Sequence, residues 1–236
     1  MRLRRAQDRG VTDVGWLCSR HSFSFGDYYD PRNLGFRSLR VINDDWIAPG
    51  KGFAMHGHRD MEILTLVLTG ELEHQDSLGH REIMRSGEFQ VMSAGTGIRH
   101  SEMNPSNTVP ARFLQIWIEP HTIGVAPRYT RRLVSVSDSD DSWCRLAGPG
   151  HRTDSSSEVS QNVVVSFGVA RKRRVLSHAV ENGEAAWLHI VEGQLRVNNL
   201  ILKTGDAVGV ESPCELECVG TGEKSSVLLF AFGAID

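Results

Sequence analysis

Apolar residues in this chain recur mainly with period two, in short runs bounded by Gly, Pro, Asn, Asp or Ser. The runs are SFSF (22–25), SLRVIND (38–44), EILTLVL (62–68), FQVM (89–92), FLQIWIE (113–119), NVVVSFGV (162–169), AAWLHIV (185–191) and SSVLLFAF (225–232). Their β-branched and aromatic content, with alternating faces, is the mark of strands that bury one side. Helical periodicity is weak everywhere, and the 23 glycines fall mostly between the runs, where strands joined by tight turns need them. The pattern predicts an all-β chain with at most a short helix or two.

One stretch breaks the pattern. Residues 135–160, SVSDSDDSWCRLAGPGHRTDSSSEVS, are rich in Ser, Asp and Gly and poor in apolar side chains, as an inter-domain segment would be. On either side of it the same order of features is written twice. LTLVLTGELEH followed by Gly87-Glu88-Phe89-Gln90-Val91-Met92 is matched by AWLHIVEGQLRV followed by Gly205-Asp206-Ala207-Val208-Gly209-Val210. Strand, glycine turn, strand, glycine-acid turn, strand is a duplicated β-unit. Two copies of an antiparallel unit with many short strands predict two consecutive double-sheet jelly-roll barrels, which dispose of strand edges by curling. The expected division is an N-terminal domain at 1–134, a linker-like segment at 135–160 and a C-terminal domain at 161–236.

Composition narrows the function more than the fold. With 236 residues, 40% hydrophobic and 23% charged, the chain can bury sizeable cores, and its formal charge of −3 provides no global positive field for nucleic acid or anionic lipid. The one basic run, Arg171-Lys172-Arg173-Arg174, reads as a solvated strand edge or turn. The basic N-terminus MRLRRAQDRG leads into no apolar segment, and no apolar run is long enough to span a bilayer, so a soluble, cytoplasmic protein without a membrane partner is expected. Cys18, Cys144, Cys214 and Cys218 are scattered and contain no CxxC, as free thiols in a reducing compartment would be. Function must therefore come from a local site.

HGHRDMEI supplies the candidate. Side chains at i and i+2 of a strand share a face, so His56 and His58 point to one spot, about 7 Å apart along the backbone. In GTGIRHSEMN, His100 and Glu102 repeat that spacing. Three imidazoles and one carboxylate suit a divalent first-row metal, and four protein ligands leave positions open for chemistry. Asp60 and Glu62 have the same strand parity as the histidines and compete for the ligand role. Among the other histidines, His21, His74, His80, His151, His178 and His189 have no partner at comparable spacing and read as ordinary surface or core residues. In the second half, Ser177-His178-Ala179 stands where the first has its histidine pair, so one metal per chain is expected.

These residues resemble the pirins of the cupin superfamily. The first cupin motif reads in Gly50, His56, His58, Glu62 and Gly70, and the second in Gly87, Gly95, His100 and Asn104. HGHRDMEI, EHQDS, MSAGTGIRHSEMNPS and HSFSFGDYYDPRNLGFRSLRVINDD add features specific to pirins and cover nearly all of the first half. Ser93 replaces the proline of the general second motif, a change usual in pirins. The resemblance implies a bicupin whose N-terminal barrel holds the metal on His56, His58, His100 and Glu102, with Glu62 as an outer or alternative ligand. Iron stands first among the metals it implies, ahead of nickel, cobalt, copper, zinc and manganese.

The resemblance is to bacterial pirin-like proteins described as quercetin 2,3-dioxygenases. It implies oxidative ring opening of a flavonol with O2 and release of carbon monoxide, Glu102 serving as the catalytic base. Phe23, Phe25, Phe53 and Trp117 are candidates for the flat apolar walls that a polyphenol needs, and Gln115 for a hydrogen bond to it. A second reading, also implied by the family, is a metal-dependent regulatory protein with a protein partner and no turnover. A cupin isomerase or hydrolase acting on an anionic sugar or small acid would need several Arg or Lys in its pocket.

Overall fold

The computed structural model of the chain describes residues 1–134, 141–150 and 156–234. Among these residues the regular structure is strand, apart from one 3-10 turn at Ala6–Asp8, and no helix is long and apolar enough to cross a membrane. Two compact units emerge: Gly10–Leu133 with Val159–Gln161, and Met1–Arg9 with Val134–Glu158 and Asn162–Asp236.

The chain opens with β1 (Arg2–Arg4), which belongs to the unit containing the C-terminal strands. The other unit holds β2 (Gly10–Asp13), β3 (Leu17–His21), β4 (Leu39–Ile47), β5 (Gly52–His58), β6 (Glu62–Thr69), β7 (Glu71–Asp76), β8 (Arg81–Arg85), β9 (Glu88–Ser93), β10 (Ile98–Met103), β11 (Ala111–Ile118) and β12 (Arg128–Leu133). These form a seven-stranded sheet in the order β12-β9-β6-β11-β4-β3-β2 and a four-stranded sheet in the order β5-β10-β7-β8. The arrangement is the double-sheet jelly roll of a cupin barrel.

The strands β13 (Trp143–Gly148), β14 (Ser157–Glu158), β15 (Val163–Arg171), β16 (Val175–Val180), β17 (Ala185–Glu192), β18 (Gln194–Val197), β19 (Leu200–Lys203), β20 (Ala207–Val210), β21 (Cys214–Gly220) and β22 (Lys224–Phe232) build the second barrel with β1. Its sheets run β1-β20-β17-β22-β15-β13-β14 and β16-β21-β18-β19. Leu176, Leu188, Leu195, Leu202, Val208 and Leu229 belong to one closed apolar cluster.

Several expectations change. SFSF is not a strand: β3 ends at His21, and Phe25 makes only an isolated bridge to Tyr28, while Phe23 is buried. Ladder pairing with β4 stops there, so the pattern marks two buried residues, Ser22 and Phe23, at the start of a loop. HGHRDMEI does not run into ILTLVL as one strand, because Asp60 adopts a left-handed φ of 48° and turns the chain between β5 and β6. The residues 135–160 contribute β13 and β14 to the second barrel, with 135–140 and 151–155, including His151, lying outside the described residues. Val159–Gln161 fall in the first unit, and the first nine residues in the second, so the boundaries at 134 and 161 miss both exchanges. The four thiols are free, Cys144 and Cys218 buried and Cys18 and Cys214 half-buried.

The N-terminal strand is held by one carboxylate. Asp206, 6% exposed, accepts hydrogen bonds from the Ala6 amide at 2.7 Å, the Arg5 guanidinium at 2.9 Å and the Lys203 amide at 3.1 Å. Removing it takes this partner from the Ala6 and Lys203 amides, while Arg5 keeps the Ile201 carbonyl, at about 2–4 kcal/mol in all. Asp206→Ala is expected to lower the stability of the second barrel by that amount and to speed hydrogen exchange in β1 and β20. Unchanged exchange in β1 would show that the strand is anchored by its ladder alone.

Candidate metal centre

The first barrel brings His56, His58 and His100 together. Their ligand nitrogens lie within 4.8 Å of one another, and they form the one such His, Cys, Asp or Glu group among the described residues. Ring centroids are 4.7 Å apart for His56 and His58, 4.4 Å for His56 and His100, and 4.9 Å for His58 and His100. The pairing explains the convergence: β10 lies antiparallel to β5, with His100 opposite His56 and Ile98 opposite His58.

Each ring is prepared to donate a lone pair. His56 Nδ1 lies 2.8 Å from the Ala54 carbonyl, which can only accept, so Nδ1 carries the proton and Nε2 is free. Burial lowers the His58 pKa to about 4, helped by the neighbouring His56. His100 is pushed down to about 2, mainly by burial and then by the surrounding imidazoles. Neutral imidazole is the form that binds a metal. Both ring nitrogens of His100 are buried without a hydrogen-bond partner, an arrangement rare in folded proteins unless a ligand completes it. This donor set fits a divalent transition metal.

Behind His100 stands a second layer of rings that the sequence spacing did not reveal. His74 packs against it with centroids 5.3 Å apart, and Asp76 binds both His74 at 3.3 Å and His80 at 2.9 Å. Tyr129 stacks on His74 at 4.7 Å and on His80 at 4.9 Å.

Glu102 lies on β10 beyond His100, but outside the tight histidine group. It is 1% exposed, and its carboxylate accepts from Gln115 Nε2 at 2.7 Å and from Thr65 Oγ1 at 3.4 Å. Burial raises its pKa to about 8, with the charge of Asp45 adding to the shift and the two hydrogen bonds opposing it. The supporting residues form a row across five strands, His21–Asn43–Gln115–Thr65–Gln90, each directly opposite the next. Gln90 Nε2 donates to Thr65 Oγ1 at 3.1 Å, Thr65 Oγ1 lies 2.8 Å from Gln115 Oε1, and His21 Nδ1 lies 2.8 Å from Asn43 Oδ1.

The competing acids are engaged elsewhere. Glu62 sits on the seven-stranded sheet, where it accepts from Ser93 Oγ at 2.5 Å and from the Ser160 amide at 3.2 Å. Asp60 accepts from the Gly124 amide at 2.7 Å. Their parity with the histidines is lost at the Asp60 turn. In the second barrel His178 is opposite Leu216 on β21, without a second histidine.

A cavity of about 580 Å3 opens onto His56, His58 and Glu102, and Phe25, Phe53, Trp117 and Gln115 line it. Trp117 stands edge-on to His58 at 5.0 Å and to Phe25 at 5.4 Å. Phe53 reaches the cavity through a β-bulge: Ser101 alone on β10 spans two residues of β5, Ala54 and Met55. The bulge puts Phe53 on the histidine side, whereas an unbroken strand would turn it away. Phe23 does not line the cavity. No Arg or Lys does.

Residues 2–118 match the sequence profile of the family described as Pirin, and residues 146–232 that of the quercetinase C-terminal cupin domain. A protein of Escherichia coli K12 named quercetin 2,3-dioxygenase is 42% identical over 228 residues, 97% of this chain and 96% of that protein. The crystal structure of the bacterial pirin YhhW from Escherichia coli in complex with nickel(II) superposes with a TM-score of 0.93 at 41% identity, over 99% of both chains. GK1651 from Geobacillus kaustophilus, 21% identical, shares the fold with a TM-score of 0.78 over 99% of this chain and 95% of its own. With the pirin profile over its first half and a relative 42% identical along nearly its whole length, the chain belongs to the pirin family.

Proposed function

We propose that the first barrel is a metal-dependent dioxygenase site that opens the heterocycle of a quercetin-type flavonol with O2 and releases carbon monoxide. The observation that carries this reading is three converging imidazoles beside a cavity of about 580 Å3 whose described walls hold aromatic rings and no Arg or Lys. A volume of that order suits a ligand of flavonol size, and aromatic walls favour a flat one. The described lining offers no Arg or Lys to pair with a phosphate or carboxylate, which favours a flavonol over the anionic substrates of an isomerase or hydrolase. The relative named quercetin 2,3-dioxygenase supports the same substrate class.

Bound by His56, His58, His100 and Glu102, a divalent metal, iron first among the candidates, supplies Lewis acidity toward the flavonol 3-oxygen and access to O2 chemistry. The residues of the chain do the rest. Phe25, Phe53 and Trp117 hold the ring system and exclude water. Glu102 accepts the proton of the 3-hydroxyl, and Gln115 with Thr65 fixes the carboxylate for that transfer. Burial alone favours the protonated acid, but a cation among the histidines pulls the other way and favours the carboxylate. Glu62 serves the fold, tying Ser93 and Ser160 together.

Metal analysis of protein purified without added metal is expected to give one equivalent per chain, lost in His58→Ala and His100→Ala and retained in His178→Ala. Two tightly held equivalents would count against a single site.

Oxygen-electrode assays separate the two glutamates. Glu102→Gln keeps the hydrogen-bonding shape and removes the proton acceptor, so flavonol-dependent O2 uptake should fall by about a hundredfold or more. Glu62→Gln should lower thermal stability and keep metal, with turnover within about tenfold of the parent. Loss of metal in Glu62→Gln together with full turnover in Glu102→Gln would reverse the assignment. A protein that holds its metal and consumes no O2 with any flavonol would sink the dioxygenase reading in favour of a regulatory one.

A further inference from the structure

Asp45 faces the same cavity from the opposite sheet. It lies on β4, beside Ser19 on β3, on the cavity-facing side shared with Asn43. Only 3% of its surface is exposed, yet its Oδ1 has no hydrogen-bond partner, while Ser19 supplies one hydrogen bond to the carboxylate. A buried carboxylate oxygen without a donor is costly, and native structures retain few such atoms without a ligand, water or catalytic role to explain them. The polar groups around it are already committed: His21 Nε2 lies 2.8 Å from Thr12 Oγ1, and His21 Nδ1 lies 2.8 Å from Asn43 Oδ1. With no Arg or Lys among the described lining residues, a hydroxyl of the occupant is the donor that the cavity leaves room for. An anionic occupant would be repelled by Asp45 and Glu102; a neutral hydroxyl would not.

We infer that Asp45 reads ring hydroxyls: its free oxygen accepts a hydrogen bond from a hydroxyl of the ligand other than the one presented to the histidines, so the cavity selects polyhydroxylated aromatic compounds. The inference rests on the flavonol reading of the cavity and adds its specificity. Aromatic walls hold any flat ring system by area and discriminate weakly among them. A buried acceptor discriminates strongly, because an analogue without the hydroxyl leaves the acceptor unpaired.

The test compares quercetin, hydroxylated on both ring systems, with 3-hydroxyflavone, which carries a single hydroxyl. Dissociation constants are read by quenching of tryptophan fluorescence in the metal-loaded protein under anaerobic conditions, and kcat/KM for the same pair is read aerobically. The parent protein should bind quercetin at least about tenfold more tightly, the scale of one buried hydrogen bond. Asp45→Leu, similar in shape and without an acceptor, should bring the ratio of the two constants toward one. Asp45→Asn, which keeps a neutral carbonyl, should give an intermediate ratio, and it carries the test if Asp45→Leu fails to fold by melting temperature and metal content. A ratio that stays at the parent value in the folded variants overturns the role of Asp45 and leaves the flavonol reading standing. Parent protein that binds neither compound overturns both.

Discussion

A carboxylate with 1% of its surface exposed must be compensated, and the first barrel is organised around compensating Glu102. Two neutral hydrogen bonds, from Gln115 and Thr65, reach it from the opposite sheet. They are not enough to keep it ionised, since its pKa stands near 8. The missing positive charge is what a metal among the three histidines supplies. Glu102 therefore links the two sheets through its hydrogen bonds, and in the proposed reading its charge would be met by the ion.

The histidines carry the complementary constraint. Burial and mutual proximity hold His58 and His100 neutral far below physiological pH. Neutral rings keep their lone pairs available, so metal binding competes little with protonation at these two histidines. The free ring nitrogens of His100 and the raised carboxylate are two signs of the same incompleteness: the site is built for an ion of charge opposite to Glu102.

Much of this was legible from spacing. The strands β4, β6, β9, β11, β15, β17 and β22 coincide with alternating apolar runs, because each buries side chains and the period survives in the sequence. His56, His58 and His100 converge where two-residue spacing placed them. What failed, failed at turns and across strands. The left-handed Asp60 severed β5 from β6 and with it the parity of Glu62, and the bulge opposite Ser101 brought Phe53 to the cavity against simple alternation. The polar row from His21 to Gln90 joins residues far apart in sequence through register alone. Each member looks ordinary in its own strand, so only the pairing makes it visible. The exchange of β1 into the second barrel is equally silent, since three residues of strand with alternating charge resemble any exposed N-terminus.

The two barrels show what such a site demands of a duplicated fold. In the second, the cross-strand row Leu229–Leu188–Val208 is apolar, and its side chains close into one cluster. In the first, the row His21–Asn43–Gln115–Thr65–Gln90 is polar, a cavity replaces part of the packing, and Asp45, Gln90 and His100 keep buried atoms unpaired. Each unpaired atom and each unfilled volume lowers stability relative to a closed core. A chain that preserved only the fold could fill the cavity with apolar side chains such as the leucines and valines clustered in its second half. The first barrel keeps polar groups that hydrogen-bond imperfectly with one another, and those groups regain their stability when an ion and a ligand complete them.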